Sequence, residues 1–265
     1  VRVFVGLWLL CQTLLALAQP DPFPEIAAAY RVEINGAPVW SKQGTLRLPP
    51  ASLTKLMTAL LVLEQGQLQA VATVGRAAAA ETGTHIGLRA GEKFQVKDLL
   101  AAALIASAND ACHALADAVA GSEAHFVQRM NQRAGALGMH NTHFVNACGH
   151  DAVGHYSSAQ DLALLAHELI KHPLVTELTA KTEARIATLD GARGYEFKSS
   201  NALIGRYAGA MGLKTGYTPK AGKCLVAYVE RGKTRLLLVL LHGKDRWWDA
   251  VDILDLAFAR ALNPA

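Results

Sequence analysis

Two consecutive prolines, Pro49 and Pro50, interrupt whatever backbone precedes them, because neither has an amide hydrogen and both fix φ. Directly after them Leu53, Leu56, Met57, Leu60 and Leu61 recur with helical period, so a buried helix begins at Ala51. That start sets Ser52 at or near the first turn and Lys55 three positions on, one turn above it on the same face. An amine so placed can take the hydroxyl proton, and the helix N-terminal dipole favours negative charge on the oxygen. Ser-x-x-Lys is short and frequent. Taken alone it is better read as a serine near a helix start with a surface lysine.

The surrounding pattern predicts an α+β fold. Residues 30–34 alternate as a strand, Asn35-Gly36 is a two-residue turn signal, and residues 38–42 return as a second strand. The Ser52 helix ends near Gly66, and residues 71–94 read as irregular. A buried helix over 96–105 points Val96, Leu99, Leu100, Ala103 and Leu104 inward. Helices over 110–120 and 124–137 are closed by Gly121 and Gly138. Residues 139–157 form a His-rich loop. A helix over 158–172, with Leu162, Leu165, Leu169 and Ile170 inward, stops at Pro173. Strands over 212–218, 224–229 and 235–241 follow, with a turn at Arg231-Gly232. An amphipathic helix over 247–262 closes the chain, its Trp247, Val251, Leu254 and Phe258 stripe facing the sheet. Two strands early and three late imply an antiparallel sheet of about five strands built from both chain ends, flanked by helices and carrying a helical insertion.

Charge and targeting narrow the setting. A net charge of +4, from 26 basic and 22 acidic residues without basic runs, excludes a nucleic-acid stripe. Arg2 followed by the apolar stretches 3–10 and 14–17, with Ala16-Leu17-Ala18 as a small-residue cleavage site, predicts a secretory signal peptide over 1–18. The expected product is a single exported domain, 19–265. Asp249, Asp252 and Asp255 give the last helix an acidic polar face that anionic lipid repels, which leaves at most peripheral membrane contact. Cys112 and Cys224 read as small core residues. Export permits disulfides, and the pairing among Cys112, Cys148 and Cys224 stays open.

Two further motifs join Ser52/Lys55 in order: Ser107-Ala-Asn109, and Lys214-Thr215-Gly216 on a late strand. The triple resembles the serine penicillin-recognising enzymes. Their neighbourhoods, Pro50 to Ala59, Ser107-Ala-Asn-Asp-Ala111, Asn141-Thr-His-Phe-Val-Asn146, His155-Tyr-Ser-Ser158 and Lys214-Thr-Gly-Tyr-Thr218, resemble the low-molecular-mass D-alanyl-D-alanine carboxypeptidases, peptidase family S11. The likeness runs over about residues 26–258 and implies a β-lactamase/transpeptidase-like fold. It also implies catalysis by Ser52 as nucleophile, Lys55 as base, Ser107 as proton relay and Asn109 as holder of the substrate amide and Lys55. Lys214 is the implied second cation that keeps Lys55 partly neutral. Backbone N–H groups of Ser52 and Tyr217 form the implied oxyanion hole. Lys214, Thr215 and Thr218, with Gly216 between them, would grip a terminal D-alanine carboxylate. The implied partners are peptidoglycan stem peptides and β-lactam inhibitors, without a cofactor.

Three departures bear on specificity. Ala147-Cys148-Gly149-His150 stands where many relatives have Pro-x-Gly-Leu, and Ser200 where several have an arginine that helps bind the carboxylate. The sequence given ends soon after its last core helix, as in the endopeptidase branch that cuts D-alanyl cross-links, although Ala108 stands where that branch often has Glu. A class A β-lactamase would need a deacylating Glu beyond Ser107, and position 143 is His. A non-enzymatic β-lactam sensor or wall-binding pseudoenzyme would share the motifs but is normally tethered to a signalling segment. His140, His143, Cys148, His150 and His155 crowd one loop, yet their spacing matches no standard zinc site, so no metal is expected.

Overall fold

The computed structural model describes residues 21–263; the predicted signal peptide lies outside them. The chain opens with β1 (Ala27–Ile34) and β2 (Ala37–Lys42), joined at Asn35-Gly36 with φ of 52° and 82°. Both angles are positive, as a turn matching the strand twist requires. After Pro50 a single 3-10 turn, Ala51–Thr54, runs into α1 (Lys55–Gln65), which Gly66 closes in the left-handed conformation. The stretch expected to be irregular contains β3 (Val71–Thr73), a four-residue α2 (Arg76–Ala79) and β4 (Lys93–Gln95), with β3 and β4 paired antiparallel. These pieces are too short to leave a periodic signal.

The insertion then runs through α3 (Val96–Ile105), α4 (Asn109–Ala120), α5 (Glu123–Ala136) and α6 (Ala159–Leu169). Ser122 and Ser158 cap the last two by accepting from His125 N and Asp161 N. Pro173, expected only to stop a helix, is the first residue of α7 (Pro173–Thr179). A proline is well suited there, since its missing donor would have had no intrahelical acceptor. A second hairpin unforeseen in the sequence, β5 (Glu183–Ala187) with β6 (Gly194–Lys198), follows. The chain returns through β7 (Ala210–Thr218), β8 (Gly222–Arg231) and β9 (Thr234–Gly243), and ends in α8 (Arg246–Leu262). The β8–β9 turn falls at Gly232-Lys233, one residue beyond the expected position.

Strand order in the main sheet is β2-β1-β9-β8-β7, antiparallel throughout, so the two chain ends meet at β1 and β9. Every residue from Leu236 to Leu241 is buried because both faces of the sheet are covered. On β8 and β9, Val226, Tyr228, Leu237, Val239 and Leu241 pack into the helical insertion. Leu225, Ala227, Val229, Leu236, Leu238 and Leu240 pack instead with Ala250, Ile253, Leu254, Ala257 and Phe258 of α8. Each fully buried leucine, isoleucine or phenylalanine stabilises the fold by about 1.5–3 kcal/mol. Trp247 and Val251 pack at the margin of that cluster, so the predicted stripe faces the sheet, shifted toward Ala250 and Ile253.

Cysteine pairing is resolved: Cys112 on α4 is disulfide-bonded to Cys148, and Cys224 is a buried free thiol. Cys112 is therefore a cross-link as well as a core residue. No described helix is long and apolar enough to cross a membrane. At the end of the sheet β7 has a single strand neighbour, and its Gly216 lies against the Ser52 turn.

Candidate active site

The Ser52 turn is braced from below. Ala51 has φ of 50°, a left-handed conformation that costs a residue with a side chain about 1–2 kcal/mol. Its carbonyl accepts from Thr54 Oγ1 at 2.8 Å. Thr54 Oγ1 in turn lies 2.8 Å from His155 Nε2, and Val145 N donates to His155 Nδ1 at 3.0 Å. That last bond assigns the ring proton to Nε2, so a neutral imidazole donates to the threonine. Burial pushes the His155 pKa down to about 4, with His143 and His150 adding repulsion against the opposing pull of Asp151. Two glycines approach the same turn. A Cβ at Gly149 would drive into the Ala51 carbonyl and stop 2.9 Å from Ser52 N. One at Gly216 would lie 3.0 Å from Pro50 O and 3.1 Å from Ser52 N.

Lys55 is the first residue of α1 and is fully buried. Its Nζ donates to Ser52 Oγ at 3.0 Å, to Asn109 Oδ1 at 2.7 Å and to the Cys148 carbonyl at 2.7 Å. All three ammonium protons thus have acceptors. Burial pushes its pKa down to about 7, against the opposing fields of Glu81 and Asp110. Asn109 opens α4 and is oriented by Nδ2 donating to Thr82 O at 2.6 Å. Asp110 accepts from Gly87 N and Leu88 N, both at 2.9 Å, which ties the 84–88 loop to the same helix start. Ser107, buried in the turn between α3 and α4, has φ of 65°. Left-handed residues with side chains at both motif positions are local strain retained by the surrounding packing.

The opposite wall is β7. Lys214 is fully buried, with Nζ donating to Thr215 O at 3.0 Å. Its pKa lies well below the ordinary lysine value, first through burial and then through repulsion from Lys55 and Arg246. Thr215 Oγ1 lies 2.9 Å from Ser200 Oγ. Tyr217 is 63% exposed. Thr218 Oγ1 donates to Asp151 Oδ1 at 2.7 Å and accepts from Ala221 N at 2.9 Å. Its proton is thus taken by a protein carboxylate. The walls converge on a hydroxyl next to an amine of lowered pKa, with the basic side chains of Lys214 and Arg246 beside a sheet edge. Such an arrangement suits acyl transfer from a substrate carrying an anionic end.

Comparison with known proteins agrees with this chemistry. The sequence profile described as D-alanyl-D-alanine carboxypeptidase, peptidase family S11, matches residues 22–245. The chain belongs to the D-alanyl-D-alanine carboxypeptidase family. It is 38% identical to the D-alanyl-D-alanine carboxypeptidase DacF of Bacillus subtilis over 234 residues, covering 85% of this chain and 60% of that one. With the enzyme of the same description from Streptomyces sp. strain K15 it shares 33% identity over 263 residues, 89% of each chain. Against DacA of Escherichia coli it covers 55% of the relative. The chain thus spans between half and two thirds of the length of the Bacillus and Escherichia relatives. Among solved structures, the Streptomyces K15 DD-transpeptidase superposes with a TM-score of 0.82 at 30% identity, over 90% of this chain and 99% of that one. Penicillin-binding protein D2 of Listeria monocytogenes, solved with ampicillin bound, gives 0.78 at 34% identity, over 90% and 100%. These neighbours confirm the α+β, penicillin-recognising fold expected from the motifs.

Within the S11 frame, three histidines of the 139–157 loop are engaged elsewhere. His155 braces the Ser52 turn, His143 Nδ1 lies 2.8 Å from Gly154 O, and His150 Nε2 lies 2.7 Å from Glu81 Oε2. Cys148 is in a disulfide, and among the described residues no group of three potential ligands is placed to hold a metal. Three contributors were not foreseen from sequence. Arg246, at the start of α8, donates to Gly216 O at 2.6 Å and to Cys224 O at 3.3 Å, which puts a guanidinium behind β7. Glu81 joins His113 at 2.6 Å and His150 at 2.7 Å, beside the Thr82 carbonyl that orients Asn109. The Cys148 carbonyl is a backbone acceptor with no side-chain signature.

Proposed function

We propose that residues 19–265 form one catalytic domain, a serine-type D-alanyl-D-alanine carboxypeptidase that acts on peptidoglycan stem peptides through an acyl-enzyme on Ser52. The observation that carries this is Lys55 Nζ, buried, with a pKa near 7 and 3.0 Å from Ser52 Oγ. An ordinary lysine would be protonated at neutral pH and could accept nothing; this one is neutral part of the time. Ser52 Oγ attacks the penultimate D-alanine carbonyl as Lys55 takes its proton. The oxyanion forms against the Ser52 and Tyr217 amides, donors worth about 3–4 kcal/mol each in comparable sites. The C–N bond then breaks, and the departing D-alanine amine takes a proton relayed through Ser107. Water enters by the reverse sequence: it loses a proton to the amine, the Ser52 ester breaks, and the hydroxyl regains its hydrogen.

The substrate carboxylate completes the proton arrangement. Lys55 and Lys214 repel one another in a buried setting, so the pair holds fewer than two protons at neutrality. An arriving carboxylate beside Lys214 and Thr215 stabilises charge on Lys214 and leaves Lys55 as the neutral partner. Arg246 adds positive field behind the strand, which offsets the absence of an arginine at Ser200. β-Lactams enter by the same acylation, and without a glutamate at the class A deacylating position the penicilloyl ester is long-lived. Action in the periplasm or cell envelope is supported by the signal-like layout of 1–18 and by a structural disulfide, a bond that persists in oxidising compartments.

The test is release of free D-alanine from a pentapeptide ending in D-Ala-D-Ala, with Ser52→Ala as control and a cross-linked dimer and an added amine acceptor as parallel substrates. The expected result is release of one terminal D-alanine by the wild type and none by Ser52→Ala. Cleavage of the dimer alone would reassign the domain to the endopeptidase branch, and no cleavage of either would sink the proposal.

A further inference from the structure

The Cys148 carbonyl accepts from Lys55 Nζ at 2.7 Å, and the same residue is bonded through sulfur to Cys112. Cys112 lies three residues after Asn109 on α4, one turn along the helix that supplies another acceptor of the Lys55 amine, Asn109 Oδ1 at 2.7 Å. The next residue, Gly149, has φ of 90° and is seated against the Ala51 carbonyl and Ser52 N. Thus one covalent bond fixes the spacing between two of the three acceptors of the amine, and the strand of loop carrying one of them also presses on the nucleophile's turn. The other hydrogen bonds that tie that loop to its neighbours are single ones, among them Thr58 Oγ1 to Ala147 O at 2.6 Å, Ala147 N to Glu123 Oε1 at 2.9 Å and His150 Nε2 with Glu81 Oε2 at 2.7 Å.

We propose that the Cys112–Cys148 disulfide is a positioning device for Lys55, so that the dithiol form of the enzyme folds but acylates slowly. This rests on the assignment of Lys55 as the base for Ser52. The activating step is oxidation of two thiols: the Sγ–Sγ bond forms, two protons leave, and two electrons pass to a small-molecule disulfide, which departs as two thiols. Cysteine at 148 and at 112 therefore does more than fill core volume. In the dithiol form the loop is free to withdraw its carbonyl from Nζ, water reaches the amine, and the amine is held less well against Ser52 Oγ. Glu81 and Asp110, whose fields act on Lys55, then favour its protonated form.

The experiment compares oxidised wild type with the Cys112→Ala/Cys148→Ala double variant, using a fluorescent penicillin as the acylating probe. Three readouts are taken: the acylation rate at neutral pH, the pH at which that rate falls on the acid side, and deuterium uptake by peptides covering 51–55 and 146–151. The expected result is a rate about tenfold to a hundredfold lower, the usual penalty for reacting groups misplaced by about an ångström. The acid limb should move to higher pH, and uptake in both peptides should rise. An unchanged rate and limb in a folded variant would overturn the proposal. Where the variant does not fold, wild type purified with both thiols reduced takes its place. Its rate should then climb in step with thiol loss as oxidised glutathione is added, and a rate independent of thiol content would overturn the proposal equally. If oxidised wild type takes no penicillin on Ser52, the assignment of Lys55 as base fails, whereas the deuterium uptake still decides whether the disulfide orders the loop.

Discussion

A lysine can act as a base at neutral pH only where its surroundings lower its pKa, and at Lys55 that value is set between opposing influences. Burial lowers its pKa to about 7, while Glu81 and Asp110 hold it from falling further. Penicillin acylation should therefore fall about tenfold for each pH unit below the Lys55 pKa, as the neutral amine is titrated away. A stopped-flow pH profile on wild type checks this, and a flat profile between pH 5 and 8 would refute it. Glu81→Gln removes a negative field, lowers the Lys55 pKa, and so should move the acid limb to lower pH; an upward move would show the carboxylate acting only through His113 and His150. The motif residues Ser52, Lys55, Asn109 and Lys214 were legible in the sequence because their chemistry belongs to side chains at recognisable spacing. Glu81, Arg246 and the Cys148 carbonyl were not. Their effect comes from long-range approach, across 26, 191 and 93 residues from Lys55, and no local pattern encodes that.

The strand β7 and the Ser52 turn form a joint whose closeness depends on two glycines with different tasks. Gly149 has φ of 90°, and an alanine there meets both the left-handed penalty and the Ala51 carbonyl. Gly149→Ala should thus destabilise the fold by more than about 1 kcal/mol in urea unfolding, the cost of the backbone conformation alone. Gly216 has ordinary strand geometry, so Gly216→Ala carries no left-handed penalty and should lower the urea midpoint less than Gly149→Ala does. Its Cβ, 3.0 Å from Pro50 O and 3.1 Å from Ser52 N, forces β7 away from the nucleophile. Acylation by penicillin should then drop by about tenfold or more. Equal effects of the two variants on stability would contradict the division. Elements with full-length periodic faces, such as α3 at Val96–Ile105, were readable to the residue. The β5–β6 hairpin was not: Ile186, Tyr195 and Phe197 are buried in alternation with exposed Arg185, Glu196 and Lys198, but each strand is only five residues long, too short for the alternation to stand out from a charged loop. Pro173 misled for a physical reason: a proline excludes helix on its N-terminal side and favours it on the other.

The molecule joins its two ends in one sheet and hangs the insertion between them, so the site depends on contacts that close only when the whole chain is folded. His155 is a sensitive reporter of that closure. Folded, it is a buried neutral acceptor for Val145 N beside the Phe144 ring, and its Nε2 meets Thr54 under the Ser52 turn. The titratable groups that act on it are His143 and His150, which oppose its protonation, and Asp151, which favours it. Unfolded, it titrates near 6.5, so between that pH and about 4 the unfolded chain binds the extra proton and stability falls as pH falls. At about 1.4 kcal/mol per pH unit, that interval corresponds to about 3 kcal/mol, fully present above pH 7 and lost as pH approaches 4. Glu33 and Glu81, whose pKa values are lowered by histidine and arginine partners against the effect of burial, lose stability in the same direction at more acid pH. The His155 contribution is isolated by difference. His155→Asn keeps an acceptor for Val145 N and removes the titrating ring. It should be less stable than wild type at pH 7.5, and the gap should narrow steadily as both are unfolded in urea at pH 6.5, 5.5 and 4.5. A gap that stayed constant over that range would mean His155 contributes packing alone, and the acid sensitivity of the active-site turn would have to arise from the carboxylates.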